Sequence, residues 1–462
     1  MNEKISPKVI GAIIATGLMS FCGVIVETAM NITFPTLMKE FGVATNTVQW
    51  MTTLYLLVVA SMVPLSATLK RRFKTKSLFL VAISFFIIGV ALDGIAPAFW
   101  VLLLGRAVQG LGTGIALPLM FNIILEQVPT SKIGMMMGVG TMITGVAPAI
   151  GPTFGGIVVS LMSWRYIFVF LLPVLIIALI LGLVCIEQKS PTTAAKIDQL
   201  SVCLIVLTFC GLIFGISNWG SQPFISWSVA GALVVGLLAL IGFSVRSLHV
   251  DMPIINIRLF TNSAFVQVVI AFACIQISAL AMSFLLPNYI QLVNHSTALI
   301  AGLLVLPGAA LGAIAGPLSG RWLDHAGAKL PLRTSTILIV IGTIGMWLQG
   351  HQLSNIAILG WYILIMLGMG TGYGNLMTFG LNQLSDQMHS DGNAIFNTLQ
   401  QFGAALGTSM AAAIVAAGQK AATTQAAGTV TGSVNSFAVV AGLLVIEFVL
   451  VWWFTRRAPQ EN

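Results

Sequence analysis

The chain has 462 residues, 57% of them hydrophobic and only 7% charged, with a mean hydropathy of +0.99 and a formal net charge of +8 at pH 7. No water-soluble domain of this length could carry that composition on its surface, so the chain reads as an all-α polytopic membrane protein. Its basic residues are scattered over short segments between apolar runs, which makes them a topology signal and excludes a nucleic-acid surface.

Windows of roughly 20 apolar residues place fourteen spans, near 9–31, 47–69, 77–96, 99–125, 134–160, 165–186, 199–219, 226–245, 262–290, 297–320, 333–350, 355–380, 393–417 and 434–455. The first apolar run continues from Val9 to about Ala29, past the length of a signal-peptide core, and is expected to stay in the membrane. Helix 5 holds the stretch MGVGTMITGVAPAIGPTFGG from Met137 to Gly156, uncharged but rich in glycine and broken by Pro148 and Pro152. In lipid such a backbone survives only where another helix presses against it, so helix 5 is expected at an interface. Helices 7 and 8, flanked by polar segments around 188–198 and 246–262, are expected to be peripheral. The Ala/Thr/Gly-rich stretch 418–433, charged only at Lys420, reads as a mobile external connection.

An even number of spans puts both termini on one side. Of the 21 basic residues, only Lys39, Arg165 and Lys420 fall on the opposite side and Arg106 lies within a span. The positive-inside rule then predicts a multi-pass protein of the cell membrane with both termini cytoplasmic. The loop PLSATLKRRFKTK from Pro64 has a partner in PLSGRWLDHAGAK from Pro317, at matching places in two six-helix sets. The implied order is 6 + 2 + 6, with an N-terminal bundle over 1–190, an inserted pair over 191–260 and a C-terminal bundle over 261–462.

Ionisable groups inside spans cost roughly 2.5–3.5 kcal/mol each on insertion scales, so a role is the default expectation. Glu27, two-thirds across helix 1, is read as the group that binds and releases protons, against the alternative of a carboxylate permanently held by Asn or Thr neighbours. Arg106 cannot realistically deprotonate and must be balanced by carbonyls, Gln109 or a carboxylate of another helix, either tuning proton release or acting as a structural tie. Asp93 and Glu126 read as interfacial groups at helix ends, and Glu447 as a snorkelling side chain rather than one facing the cytoplasmic vestibule.

The glycine strings Gly110-x-Gly112-x-Gly114 and Gly368-x-Gly370-x-Gly372-x-Gly374 follow no strand and lie in apolar spans, so they read as close-packing surfaces and not as phosphate loops. The five histidines sit in loops and the five cysteines in apolar stretches without metal spacing, so neither a metal nor another cofactor is expected. Asn31, Tyr55, Gln109, Asn122, Gln276, Asn288, Asn375, Asn397, Gln400 and Gln401 are the polar and aromatic candidates for lining a central cavity.

Several short signatures then fall in order on the spans. They are Glu27-Thr-Ala-Met-Asn31-x-x-x-Pro35, Trp50-x-x-x-x-Tyr55-x-Leu57, Arg106-x-x-Gln109-Gly110-x-Gly112, Gly151-Pro152-x-x-Gly155-Gly156, Trp164-Arg165-Tyr166-Ile167-Phe168 and Asn397-x-x-Gln400-Gln401-x-Gly403. Together, from about Glu27 to Met410, the chain resembles the fourteen-helix drug:proton antiporters of the major facilitator superfamily. The resemblance implies two six-helix bundles working by alternating access as a monomer, with protons and small amphipathic molecules as partners. It also implies Glu27 and Arg106 in proton coupling, Gly151, Pro152, Gly155 and Gly156 in gate packing, and export of amphipathic cationic or zwitterionic drugs. A carrier of a defined metabolite (an amino acid, peptide or siderophore) and a non-transporting membrane sensor are the alternatives. Two departures stand out. Arg71 occupies the place of an acid that in relatives is thought to lock the cytoplasmic gate, while Asp324 keeps the second-half copy, and Leu171 stands where Asn is expected.

Overall fold

The computed structural model describes residues 5–129, 132–189, 191–192, 198–250, 253–385 and 388–457. Among them, fourteen long helices follow one another: α1 (Pro7–Phe41), α2 (Thr45–Leu65), α3 (Thr75–Gly94), α4 (Phe99–Gln127), α5 (Ile133–Leu161), α6 (Tyr166–Cys185), α7 (Gln199–Trp219), α8 (Trp227–His249), α9 (Ser263–Leu292), α10 (Ala298–Ala326), α11 (Lys329–Gln349), α12 (Asn355–Leu381), α13 (His389–Ala421) and α14 (Gln425–Arg457). Thirteen are long and apolar enough to cross a bilayer by the described residues alone. The other, α5, is 29 residues long with a described apolar stretch over Ile150–Leu161.

Several helices, α1 and α13 above all, extend past the spans read from hydropathy because local signals, and not bilayer thickness, end them. In α1, Ser6 precedes Pro7 at the first helical position, where a missing N–H costs nothing. The helix runs to Gly42, whose φ of 63° lets its N–H close on the Met38 carbonyl. The buried faces carry small residues, such as Gly11, Ala12, Ala15, Gly17 and Gly23 of α1, while Ile176, Ile177, Ile180 and Val184 of α6 point outward. That division is what lipid demands, since tails reward an apolar outside and only close approach rewards helix association.

The contacts within the first six helices recur in the last six, each shifted by eight: α1 on α5 and α6, α2 on α4, and α3 on α4 and α6 correspond to α9 on α13 and α14, α10 on α12, and α11 on α12 and α14. Across the two sets, α5 packs on α10, α13 on α2 and α1 on α9. The inserted pair corrects one expectation. While α8 is peripheral, α7 lies against both α2 and α13, with Trp50 beside Phe214 at 5.9 Å and Phe209 stacked on Phe402 at 4.7 Å. An apolar cavity of about 140 Å³ lies where this pair meets α13, lined in part by Phe209, Phe243, Ile395 and Leu399.

The stretch 418–433 is likewise not a loose connection. Helix α13 continues to Ala421 and α14 begins at Gln425. A Cβ on Gly418 would lie 2.6 Å from the Gly428 carbonyl and one on Gly432 3.1 Å from that of Ile414, so the small residues that suggested a flexible loop instead let two helices close backbone to backbone.

Candidate functional site

Gly23, Glu27 and Asn31 are spaced four apart and share one face of α1. At Gly23 an added Cβ would meet Thr113 of α4 at 2.9 Å and the Tyr55 hydroxyl of α2 at 3.0 Å, which seats this face against both helices. Tyr55 donates to Thr113 Oγ1 at 3.0 Å, and its ring lies under the Arg106 guanidinium, 4.2 Å from carbon to centroid.

Arg106 is fully buried. Its Nε donates to the Met51 carbonyl at 3.0 Å and its Nη1 to Gln109 Oε1 at 2.6 Å, and Gln109 Nε2 donates in turn to Asp93 Oδ2 at 2.7 Å. The guanidinium is thus balanced by a carboxylate of the neighbouring helix through an amide relay. Both charges are out of water, so neither can lose its partner cheaply. Asp93, expected at the interface, is 0% exposed. It sits one residue from the end of α3, but α4 folds back over it. The close approach is set by Gly89, where a Cβ would lie 2.7 Å from the Gly105 carbonyl and 2.8 Å from the Gln109 nitrogen.

Glu27 differs from every other acid inside the helices. It keeps 9% of its surface accessible, and no hydrogen bond fixes its carboxylate among the described residues; Arg106 and Tyr55 are its charged and aromatic neighbours. The alternative of a carboxylate tied down by Asn or Thr does not describe this arrangement. Asn31 points its amide elsewhere, accepting from Thr52 Oγ1 and donating to Ser283 Oγ of α9, both at 2.9 Å.

That Asn31–Ser283 bond begins a polar seam between the two sets, on the side away from the termini. Thr53 donates to Gln49 Oε1 and approaches Ser409 Oγ at 3.1 Å, and Thr45 donates to Gln419 at 2.7 Å, while Gln49 donates away from the seam to Ser217 Oγ of α7 at 2.6 Å. Gln291 reaches the Ile32 carbonyl at 3.1 Å, and Ser160 Oγ accepts from the Leu299 N–H at 3.1 Å. Along α5 a Cβ on Gly155 would lie 2.5 Å from the Ala29 carbonyl of α1 and one on Gly156 2.6 Å from the Ala298 carbonyl of α10. Gly151 is seated on Thr28, and Gly302 meets the Pro152 carbonyl at 2.6 Å. The far side is therefore closed, with two adjacent glycines serving opposite partners.

The other candidates are dispersed. Tyr55, Gln109 and Asn31 gather near Glu27, although Gln109 is wholly engaged in the Asp93–Arg106 relay. Gln276 of α9 packs on Gly403 of α13, and Gln400 and Gln401 are half-buried nearby in sequence. Asn288 and Asn397 donate to carbonyls of their own helices, Phe284 at 2.8 Å and Asn393 at 2.9 Å. Asn375 ties α12 to Ser319 of α10 at 2.7 Å, and Asn122 is half-buried on α4. Arg71 is exposed on the short helix Ser66–Arg72, where Lys70 pairs with Glu126 of α4. The side chain of Asp324 lies outside the described residues. Sequence reasoning passed over Gln49, Thr52 and Thr53, whose signal was a cluster of hydroxyls and amides at the start of an otherwise apolar span, and Ser409, a single hydroxyl in the second half of α13.

Comparison with known proteins adds three findings. A family model described as Major Facilitator Superfamily matches residues 16–408. Lincomycin resistance protein LmrB of Bacillus subtilis (strain 168) is 39% identical, covering 89% of this chain and 86% of its own length, and a multidrug resistance protein B homolog of Mycobacterium tuberculosis (strain ATCC 25618 / H37Rv) is 26% identical over 83% and 72%. Among solved structures, the inward-facing, unoccupied crystal structure of a bacterial homolog to the human lysosomal transporter Spinster has a TM-score of 0.69 at 13% identity, covering 98% of each chain, a likeness of fold alone.

Proposed function

The chain belongs to the Major Facilitator Superfamily, and from that premise we propose that this multi-pass membrane transporter exports amphipathic cationic or zwitterionic drugs in exchange for protons. The observation that carries the reading is Glu27, an acid within the helices that is unbonded, partly accessible and beside a fixed guanidinium. A proton and a cationic substrate group compete for one carboxylate, and each biases the same two-state equilibrium, which is the minimum that antiport requires. The Asp93–Gln109–Arg106 relay holds its charge in place while Glu27 changes its own. The names of the relatives make lincomycin the first substrate to test.

The recurring contact pattern supports a division into bundles over 1–190 and 261–462 that rock about the seam, with 191–260 inserted. The concentration of basic residues on the side of the termini supports a cytoplasmic location for both. The two six-helix sets face each other within one chain, α5 on α10 and α13 on α2, and on that ground a functional monomer is proposed.

The test is uptake of lincomycin and of a panel of cationic dyes into inverted vesicles under an imposed pH gradient. Glu27→Gln is expected to abolish proton-driven transport while the protein stays in the membrane, and Glu27→Asp to retain part of it. Normal gradient-driven flux in the Gln variant would remove Glu27 from the mechanism. Absence of flux for every drug and dye, with flux of a metabolite, would favour the carrier alternative.

A further inference from the structure

Helix α14 presents a stripe to the bundle in which Phe437, Val440, Leu444, Val451 and Phe454 are all buried, and Glu447 sits in the middle of it. Its side chain is 0% exposed and, among the described residues, neither carboxylate oxygen has a hydrogen-bond partner. This is not a snorkelling group: the protein itself, and not lipid, surrounds it. It also differs from Asp93, which has an amide donor and a guanidinium behind it.

Among the described residues, the elements packed on α14 offer no charge to compensate it; α12, which touches α14 through Phe379 stacked on Phe454, carries no charged side chain. On α9 the titratable residues are Cys274, its electrostatic neighbour, and Tyr289, whose hydroxyl is spent on the Gly350 carbonyl at 2.9 Å. Helix α13 has no titratable side chain between Asp391 and Lys420, which lie at its two ends. On α11 there are only Lys329 and Arg333, and Arg333 is engaged nearer the terminus, stacked over Trp452 at 4.4 Å and donating to Thr455 at 3.0 Å. Trp452 is five residues beyond Glu447, about 7.5 Å along the helix. A bare carboxylate without a donor or a cation is too costly to keep in such a place, whereas a neutral acid is only an imperfectly bonded polar group.

We propose that Glu447 is a second proton-binding site, in the C-terminal half, loaded in the conformation described here and emptied only when α14 parts from α9 and α13 far enough to admit water. Helices α9 and α13 are also the ones that carry Ser283 and Ser409, which bond across the seam to Asn31 and Thr53. Occupancy of Glu447 is thereby tied to the packing of the helices that close the far side. The part this proton plays in transport rests on the proton coupling proposed above; its presence does not.

Infrared difference spectroscopy of the full-length protein in lipid tests it. At neutral pH the wild type should show the carbonyl band of a non-hydrogen-bonded carboxylic acid. The band should persist in Glu27→Gln, vanish in Glu447→Gln and shift in Glu447→Asp, which also serves if the Gln variant fails to fold. Spin labels at the exposed positions Ile270 of α9 and Ile446 of α14 should separate as alkaline pH removes the band in the wild type, and not in Glu447→Gln. Absence of the band in the wild type, its survival in Glu447→Gln, or equal movement of the labels in both proteins would overturn the proposal. A failure of lincomycin transport would leave each of these readings intact and so bears only on the antiport.

Discussion

The helix pairs α3–α4 and α11–α12 occupy corresponding places in the two six-helix sets and are drawn together by the same device. A Cβ on Gly89 would meet the Gly105 carbonyl at 2.7 Å, and one on Gly368 would meet the Ser335 carbonyl at 2.8 Å. What bridges them differs entirely. Between α3 and α4 runs the charged relay Asp93–Gln109, continued to Arg106, whereas α11 and α12 are joined by neutral bonds, Ser335 Oγ to the Gly368 carbonyl at 2.6 Å and, at the exposed end, Trp361 Nε1 to Gln349 Oε1 at 3.0 Å. One packing plan thus accepts either interior, because the plan is written in small residues and the polar chemistry is laid over it. The first set holds fixed charge beside a titratable acid, while the last set is neutral in its middle apart from the lone Glu447.

The comparison is broken most directly by removing one partner from each pair. Arg106→Leu leaves Asp93 buried opposite no cation and should cost about 3–5 kcal/mol of stability. Ser335→Ala removes one neutral hydrogen bond and should cost about 0.5–1.5 kcal/mol. Unfolding of the purified proteins in mixed micelles would measure both. The double variant Asp93→Leu/Arg106→Leu should recover part of the loss, since no unpaired charge is then left. Equal costs for the two single variants would mean that the charged relay is not the tie that the geometry describes.

The two glycines of α5 sharpen the contrast between what holds a set together and what closes the sets on each other. Gly155 rests on Ala29 of its own set and Gly156 on Ala298 of the other. Overpacking by one methyl costs about 1–3 kcal/mol where the backbone cannot yield. Gly155→Ala should spend that cost on stability. In Gly156→Ala the sets can part instead, so the population should shift towards an open far side. Label pairs on the far ends of α5 and α10 would read the shift, and an unmoved distribution in Gly156→Ala would show that the contact is not part of the gate.

These residues also mark what was legible in the chain. The fourteen helices, the glycine-rich interface of α5 and the need to balance Arg106 all follow from the price of polar groups in lipid, which is a local property of sequence. The position of Asp93 was not legible, because it lies next to the end of its span and only the return of α4 over it makes it interior. Glu447 was misread for a related reason: hydropathy averages around a helix, whereas its burial depends on the face it shares with Leu444 and Val451. A count of apolar residues at spacings of three and four about position 447 carried that signal. The role of α7 could not be read at all, since its contacts with α2 and α13 are made by serines and phenylalanines that any peripheral helix would also carry.

The smallest effect belongs to that inserted pair, which is outside both sets. Asp198 precedes α7 and accepts from Arg246 of α8 through two bonds, Nε to Oδ2 at 3.0 Å and Nη2 to Oδ1 at 3.2 Å, and from Ser201 Oγ at 2.7 Å. The hydrogen bonds from Arg246, and after them that from Ser201, outweigh the opposing effect of burial and hold its carboxyl below the ordinary aspartate range. A depressed folded value means that the contribution is present above the unfolded value, about 3.9, and is lost as pH falls through the folded one. Arg246 is 44% exposed, so water and salt screen the pair and the effect stays below that of either glycine. The thermal midpoint of Asp198→Asn should therefore lie slightly below that of the wild type at pH 7, and the gap should close as pH falls through the depressed folded value, below which both proteins carry a neutral side chain. A gap that persists in acid would assign the contribution to the Ser201 bond, leaving α7 held to α8 by packing and to the two sets by Ser217 against Gln49 and Phe209 against Phe402.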